Sequence, residues 1–161
     1  MCELLIAITG TVIGGLLLTF CLFLLNERLF TKYNLTGEWV TKTTIQGTTY
    51  GLYKDLRIEY KIHLLQKGYE LIGSGEKIRD IHKDGSITEF EFAKRVIVHV
   101  DGYYERKYFR KSKIYLIIHE EGKGRETRAT YLLTIINSKK LTGTFKSTAA
   151  NTEGIVEMVT S

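Results

Sequence analysis

The stretch whose residue types best fit ligand binding is residues 101–113, DGYYERKYFRKSK, where basic and aromatic side chains are interleaved. Guanidinium groups pair with phosphates, and aromatic rings stack on nucleobases. The stretch therefore favours a nucleotide-like ligand, although tyrosine is also common in strands and a basic segment near a membrane can bind anionic lipid. The candidate ligand-binding residues are Tyr103, Tyr104, Arg106, Lys107, Tyr108, Arg110 and Lys111.

Four more residues would complete this site if the fold brings them to the same barrel mouth as residues 101–113. Thr49, Tyr50 and Tyr53 belong to the loop 47–55, and Arg128 lies near the start of a late strand. Whether the two regions converge depends on the tertiary structure.

Catalytic and metal-binding patterns are missing from the sequence. His63, His82, His99 and His119 are dispersed, and there is no HExxH, CxxC or paired-histidine spacing. The glycine- and lysine-containing stretches 73–77 and 122–125 match no phosphate-loop pattern and are predicted to be bends or turns. We expect a protein that is not an enzyme and that carries no metal or cofactor.

The charge balance favours anionic partners. The chain has 23 lysines and arginines against 18 aspartates and glutamates, which gives a net charge of +5. Acidic residues occur on nearly every predicted strand, so no extended basic surface is available for polymeric nucleic acid. A small anionic ligand or the inner surface of a membrane fits this balance better.

Residues 4–25 contain no charged residue and no proline. As a helix this segment is about 33 Å long, enough to cross a hydrocarbon core of about 30 Å. A signal peptide is the rival, but no lysine or arginine precedes the segment, it is too long for a signal core, and no A-x-A-like cleavage site follows. We therefore predict a retained membrane span.

The residues that flank the span predict its orientation. Arg28, Lys32 and Lys42 follow it and nothing basic precedes it, so the C-terminal part is expected in the cytoplasm. Both cysteines, Cys2 and Cys21, lie in or beside the span, so the soluble part has no internal disulfide.

One face of the span carries small side chains at spacings of three and four, including a GxxxG motif. Such a face lets two membrane helices approach closely, although glycine is also simply common in these helices. The candidate oligomerisation residues are Ala7, Gly10, Thr11, Gly14 and Gly15.

After a connector at residues 27–36, apolar and polar residues alternate with the period of two that is typical of strands. In one strand, Leu56, Ile58, Tyr60, Ile62 and Leu64 share the inner face, and Arg57, Glu59, Lys61 and His63 share the outer face. Gly73 and Gly75 share a face of the next strand, where it bends or something approaches closely. The predicted strands are 37–44, 56–64, 69–80, 88–92, 96–104, 113–120, 127–136, 141–148 and 155–160.

Short turns between these strands favour an all-β, up-and-down antiparallel barrel of about eight strands, with a sandwich as the alternative. The predicted domains are the span at 1–26, the connector and a cytoplasmic barrel at 37–161. Gly37-Glu38-Trp39 resembles the Gly-x-Trp signature of lipocalin-type barrels, in which the ring closes one end. Residues 141–145, LTGTF, echo residues 35–39, LTGEW, as if both segments met the same end of the barrel.

The whole layout resembles the membrane-anchored β-barrel effectors of bacterial cyclic-nucleotide anti-phage systems, namely the two-span strand-rich effectors of CBASS and the related effector of the Panoptes system. The matching motifs are Leu35-x-Gly37-x-Trp39 and Leu141-x-Gly143-x-Phe145. The resemblance implies a barrel that binds a cyclic dinucleotide made by a partner nucleotidyltransferase, and spans that form homo-oligomers and damage the inner membrane. In CBASS the ligand triggers the effector, and in Panoptes its loss releases it. Family members have two spans, whereas this sequence has one.

Two other functions stay open on the sequence alone. A lipocalin-like carrier of a hydrophobic molecule requires an apolar lumen, whereas the sensor requires arginine and tyrosine at the mouth. A non-catalytic interaction module requires a filled barrel, in which Tyr60, Phe90, Phe92 and Phe145 pack to the axis.

Overall fold

The computed structural model of the chain describes residues 2–29, 33–91, 94–107, 110–122 and 125–161. The chain divides into two compact units, Met1–Tyr33 and Asn34–Ser161. The first unit contains a helix and the second contains the strands.

Helix α1 (Cys2–Leu29) contains one stretch that is long and apolar enough to cross a membrane, Ala7–Leu25. The hydroxyls of Thr11 and Thr19 donate hydrogen bonds to the backbone carbonyl oxygens four residues earlier. Because these hydroxyls have partners within the helix, the stretch exposes few unpaired polar groups to an apolar solvent.

The small-residue face of α1 is open along its length. Its five residues are exposed, and a Cβ added at Gly10 or Gly14 would meet no atom within 4 Å. The face therefore leaves room for a second helix, and oligomerisation through it stays a prediction.

The described residues of the second unit form nine strands: β1 Gly37–Gly47, β2 Arg57–Lys67, β3 Glu70–Ile81, β4 Ile87–Glu89, β5 Ile97–Glu105, β6 Lys113–Gly122, β7 Arg125–Asn137, β8 Lys140–Ser147 and β9 Thr152–Thr160. The predicted strand 88–92 corresponds to β4, which ends at Glu89. Phe92 lies outside the described residues.

The strands close into an antiparallel barrel. Each of β1, β2, β3, β5, β6, β7, β8 and β9 pairs with the next, and β9 returns to β1, while the short β4 pairs only with β3. This closed ring of eight strands confirms the predicted fold class. The sandwich alternative is wrong, because every strand of the ring in the described chain has a neighbour on both sides.

Apolar side chains fill one end of the barrel, which we call the packed end. Leu35, Trp39, Leu64 and Leu71 are all at most 1% exposed there. The Trp39 indole N–H donates a hydrogen bond of 2.9 Å to the backbone carbonyl of Leu35, so its one polar atom has a partner. The end-closing position of the tryptophan agrees with the lipocalin-type signature.

The echo between residues 35–39 and 141–145 does not place the two segments at equivalent positions. Trp39 pairs with Thr160, whereas Phe145 pairs with Gly154, which pairs on its other side with Ile45. Both strands begin at the packed end, where Lys140 pairs with Val159 and Val159 with Val40, but Phe145 lies about six residues nearer the open end than Trp39. The expectation that the two segments meet that end in the same way is therefore wrong. Trp39 is the third residue of β1 and Phe145 the sixth of β8, so the same motif begins at different heights.

Two glycines of β3 let that strand approach β2 closely. A Cβ at Gly75 would lie 2.2 Å from the carbonyl oxygen of Lys61, and one at Gly73 would lie 2.6 Å from that of His63. Neither contact leaves space for a side chain, so these positions confirm the predicted close approach.

The outer face of β2 has one exception to the predicted solvent exposure. Glu59 is only 7% exposed, and its Oε2 accepts a hydrogen bond of 2.8 Å from Nε of Arg79 in β3. The cross-strand ion pair supplies the partner that a nearly buried carboxylate requires.

Candidate functional site

A cavity of about 190 Å³ lies inside the other end of the barrel, where β1 ends and β2 begins, which we call the open end. The aromatic side chains that line it are Tyr53, Tyr60, Tyr131 and Phe145. The polar ones are Thr43, Lys77, Asp80, Glu120, Thr127, Ser147 and Thr152. Tyr60 and Phe145, which a filled barrel would pack to its axis, thus line a cavity that combines stacking faces with hydrogen-bonding groups.

Three charged side chains lie together on the cavity wall. Nζ of Lys77 is 2.8 Å from Oδ2 of Asp80 and 3.8 Å from Oε1 of Glu120. The hydroxyl of Tyr60 donates a hydrogen bond of 3.1 Å to Oε2 of Glu120. The Lys77 ammonium also lies 4.5 Å from the centre of the Phe90 ring, which adds a cation–π contact. We call Lys77, Asp80 and Glu120 the charged cluster.

A β-bulge in β3 brings Lys77 and Asp80 to the same side of the sheet. Residues three apart in a regular strand point to opposite faces. Here Lys77 pairs with Tyr60 and Arg79 pairs with Glu59, so Ile78 is an extra residue in β3 and reverses the alternation. Asp80, opposite Ile58, therefore faces the cavity together with Lys77.

The cavity perturbs the ionisation of its lining groups. Burial raises the pKa of the Asp80 carboxyl above its ordinary value, although the adjacent Lys77 ammonium acts in the opposite direction. Burial also raises the pKa of Tyr60 well above its usual range, and Tyr131 and Glu120 act in the same direction. The Tyr60 phenol therefore stays protonated at neutral pH.

Tyr131 lines the cavity and is itself almost fully buried, at 1% exposed. Its hydroxyl lies 3.4 Å from that of Thr43, its ring stacks on Phe145 at 5.7 Å between centroids, and burial raises its pKa to about 12. A stacked aromatic pair with one hydroxyl pair beside it thus forms part of the cavity wall.

The charged cluster sets two carboxyl groups against one lysine, so acidic groups outnumber basic ones on this wall. It favours hydrogen-bond donors and disfavours a phosphate inside the cavity. In the part of the chain that the structure describes, no group of three or more His, Cys, Asp or Glu could hold a metal ion.

Comparison with known proteins bears on the fold. No family model and no curated protein matches the chain. The chain is similar to a redesigned β-barrel, mFAP1, bound to DFHBI, with a TM-score of 0.53 and 11% identity over 79% of this chain and 94% of that chain. A second redesigned barrel, b11L5F_LGL, aligns with a TM-score of 0.49 and 12% identity over 79% of this chain and 91% of that chain. The likeness to mFAP1 shows the fold alone.

Three of the predicted ligand-binding residues lie at the open end, between β1 and β2. The backbone N–H and the hydroxyl of Thr49 both donate to the carbonyl oxygen of Ala150, at 3.0 and 2.7 Å. The rings of Tyr50 and Tyr53 meet edge to face at 5.1 Å, and Tyr53 lines the cavity. Tyr53 is thus the predicted residue that the structure places at the cavity itself.

Arg128 lies at the same end but points away from the cavity. Its neighbours Thr127 and Ala129 line the cavity, and successive side chains of a strand alternate between faces. The Arg128 side chain is therefore on the outer surface of the barrel.

The larger predicted group lies at the packed end, because β5 ends and β6 begins beside the first residues of β3. Tyr103 pairs with Glu70, which begins β3. The described members of this group are Tyr103, Tyr104, Arg106, Lys107, Arg110 and Lys111, and Tyr108 lies outside the described residues. The structure does not bring this group together with the residues at the open end.

Several side chains of this group make local contacts. Tyr104 is buried and its hydroxyl donates to Oγ of Ser112 at 3.3 Å, while Tyr103 stacks on Tyr115 at 4.6 Å. Nζ of Lys107 lies 3.3 Å from Oε1 of Glu105. Arg110 and Lys111 are exposed. Their role in ligand binding stays a prediction.

No local sequence pattern points to the hydrogen-bonded and charged groups of the cavity wall, which are Tyr60, Lys77, Asp80 and Glu120. Alternation predicts Tyr60 on the inner face of its strand, but no local pattern links it to Glu120 in β6. One signal in the sequence could have indicated the bulge. Residues 77 and 80 are oppositely charged, and they can pair on one face of a strand only if the alternation is interrupted between them.

Proposed function

We propose that this protein is a membrane-anchored ligand sensor whose barrel binds a cyclic dinucleotide at its open end. The observation that carries the proposal is the cavity of about 190 Å³, whose aromatic and hydrogen-bonding groups converge in a barrel that is otherwise packed. Ligand-controlled self-association of the span, with disruption of the inner membrane, would follow as in the anti-phage effectors that the sequence resembles.

The size of the cavity limits how the ligand would bind. Cavities that enclose drug-sized ligands span roughly 300–1,000 Å³, so this one is too small for a whole cyclic dinucleotide. One base would enter and stack near Tyr131 and Phe145, while the sugars and phosphates would remain outside. The redesigned barrel mFAP1 is bound to DFHBI, which supports ligand binding by a barrel of this architecture.

The charges support the same arrangement. The acidic wall of the cavity would repel a phosphate, whereas a shallower cleft of about 420 Å³ at the open end is lined by Lys54, His82 and Lys83 together with one acidic residue, Asp84. Lys83 also pairs with Asp55 at 3.3 Å, which leaves Lys54 as the lysine of the cleft for which no ion pair is described. Tyr53 lines the cavity, and its neighbours Leu52 and Lys54 line the cleft. A ligand with its base in the cavity would have its phosphates within reach of these basic side chains.

The polar lining argues against the carrier of a hydrophobic molecule. Burying an apolar ligand against Lys77, Asp80 and Glu120 would remove water from charged groups without replacing its hydrogen bonds. An anchor in the inner membrane with the barrel in the cytoplasm, and a partner nucleotidyltransferase, complete the proposal. They rest on the basic residues after the span and on the family resemblance.

Thermal unfolding of the full chain in lipid nanodiscs tests the proposal. The chain has one tryptophan, Trp39, so its fluorescence reports on the barrel. A panel of cyclic di- and trinucleotides is compared with fatty acids. A nucleotide at a concentration of about a hundred times its Kd should add about 2.7 kcal/mol to the free energy of unfolding, which raises Tm by several degrees.

The variant Ala129→Phe fills the cavity and should abolish the shift, whereas Thr130→Phe, at the next and outward-facing position, should retain it. A folded wild-type chain whose Tm responds to fatty acids alone would establish the carrier instead. The absence of any shift would favour an interaction module.

A further inference from the structure

The charged cluster contains more hydrogen-bond acceptors than donors. Each carboxylate offers two oxygens, and the nearby donors are the Lys77 ammonium and the Tyr60 hydroxyl. Lys77 engages Oδ2 of Asp80, and Tyr60 engages Oε2 of Glu120. The wall therefore retains acceptor capacity toward the cavity.

Within the charged cluster, Asp80 has a carboxylate oxygen that lacks a hydrogen-bond donor in the described chain. Its Oδ1 is buried and accepts no hydrogen bond from the residues that the structure describes. A buried acceptor without a donor is costly, and donors of a bound molecule would relieve that cost. Asp80 and Glu120 both line the cavity, so donors of a ligand there would meet the carboxylates of this wall.

We propose that the charged cluster selects a guanine base, with Asp80 and Glu120 as the residues that determine specificity. This inference rests on the proposed function, because the cavity must first accept a base. Guanine presents two adjacent donors, its ring N1–H and its exocyclic amino group, on one edge. A carboxylate accepts from both of them.

Adenine fits the same wall less well. Its corresponding edge has one amino donor beside a ring-nitrogen acceptor, so that acceptor would face a carboxylate and the second donor would be missing. A site built to accept two N–H donors discriminates strongly against an analogue that lacks one, because its acceptors are then left without partners. Stacking on the aromatic side chains that line the cavity would accept either base and provides no discrimination.

Calorimetric titration of the full chain in nanodiscs tests the inference with cyclic di-GMP, cyclic di-AMP, guanosine and adenosine. Guanine compounds should bind at least about ten-fold more tightly than their adenine counterparts. Asp80→Asn and Glu120→Gln should each weaken the binding of the guanine compounds about ten-fold or more. The affinities for the adenine compounds should change less.

Glu153→Gln is the matched control. Glu153 follows the cavity-lining Thr152, points outwards and pairs with Lys146, so its substitution should leave every affinity unchanged. Ligand-free Tm values show whether each variant is folded, and Glu120→Gln tests the cluster if Asp80→Asn does not fold.

The outcomes separate the two proposals. Cyclic dinucleotide binding without guanine preference, or with a preference that survives both substitutions, would overturn the inference and leave the proposed function standing. Guanosine binding without cyclic dinucleotide binding would support guanine selection and overturn the cyclic dinucleotide ligand. If no compound binds a folded chain, both proposals fail.

Discussion

The hydroxyl of Tyr60 in β2 reaches across the barrel interior to Oε2 of Glu120 in β6, at 3.1 Å. The two strands are not neighbours in the ring, since β3 and β5 lie between them. The bond therefore links two separate walls of the cavity and gives a carboxylate oxygen a donor where water is scarce.

Removing this donor should destabilise the barrel. Tyr60→Phe leaves Oε2 of Glu120 without its partner, and hydrogen bonds to charged groups contribute about 1.5–3 kcal/mol. Urea unfolding of the full chain in nanodiscs, followed by Trp39 fluorescence, should show a loss of that size. Tyr103→Phe, at an exposed position, is the matched control, and its free energy of unfolding should stay within about 0.5 kcal/mol of that of wild type. Equal stability of Tyr60→Phe and wild type would contradict the role assigned to the bond.

Alkaline pH should destabilise the barrel partly through Tyr131. The phenol has a pKa of about 12 in the folded chain, against about 10 when unfolded. Because the pKa is higher in the folded chain, the protonated phenol contributes its full stabilisation below pH 10. This contribution to the free energy of unfolding is lost as the pH rises toward 12. Between pH 9 and 11, wild type should lose about 1 kcal/mol more unfolding free energy than Tyr131→Phe.

Urea titrations at each pH measure this difference. Tyr60 is present in both proteins, so its own ionisation largely cancels from the comparison. If the free energies of unfolding of wild type and Tyr131→Phe fall in parallel as the pH rises, burial does not raise the pKa of this phenol.

The close approach of β3 to β2 should be intolerant of any side chain. In Gly75→Ala the new Cβ would lie 2.2 Å from the carbonyl oxygen of Lys61, which cannot move without breaking strand pairing. Overpacking of this kind costs about 1–3 kcal/mol. Gly51→Ala, where a Cβ meets no atom within 4 Å, is the control and should change stability little. A neutral Gly75→Ala would mean that the strands can separate without cost.

The small-residue face of α1 should govern self-association in the membrane. Gly10→Ile and Gly14→Ile together add bulk where a neighbouring helix would pack, at positions where an added Cβ meets no atom within 4 Å beyond the local helix backbone. Crosslinking in membranes should therefore show loss of oligomers without loss of folded protein. Leu16→Ile, on the opposite side of the helix at 3.6 residues per turn, should associate as wild type does. Unchanged oligomers in the glycine double variant would show that α1 is only a tether.

Local sequence patterns were sufficient to predict the elements of the fold. Alternation in residues such as Leu56, Tyr60 and Leu64 defines the inner face of a strand, because side chains of a strand alternate strictly. Glycine-containing turns define where strands end, and the uncharged segment at residues 4–25 defines the apolar helix. The number and even spacing of the strands favoured a closed barrel but left a sandwich open, and the pairing of β9 with β1 decided between them.

Which side chains form the site depends on contacts between strands that no local sequence pattern encodes. Whether Tyr53 shares one mouth with residues such as Tyr103 and Arg110 stayed open on the sequence, and strand direction places them at opposite ends of the barrel. The bulge at Ile78 turns Asp80 inward beside Lys77, and it is visible only in the pairing of β3 with β2. Local residue preferences and alternation thus determined which segments are helix, strand and turn. Register and barrel closure decided which charged side chains meet, because a shift of one residue moves every later side chain to the other face.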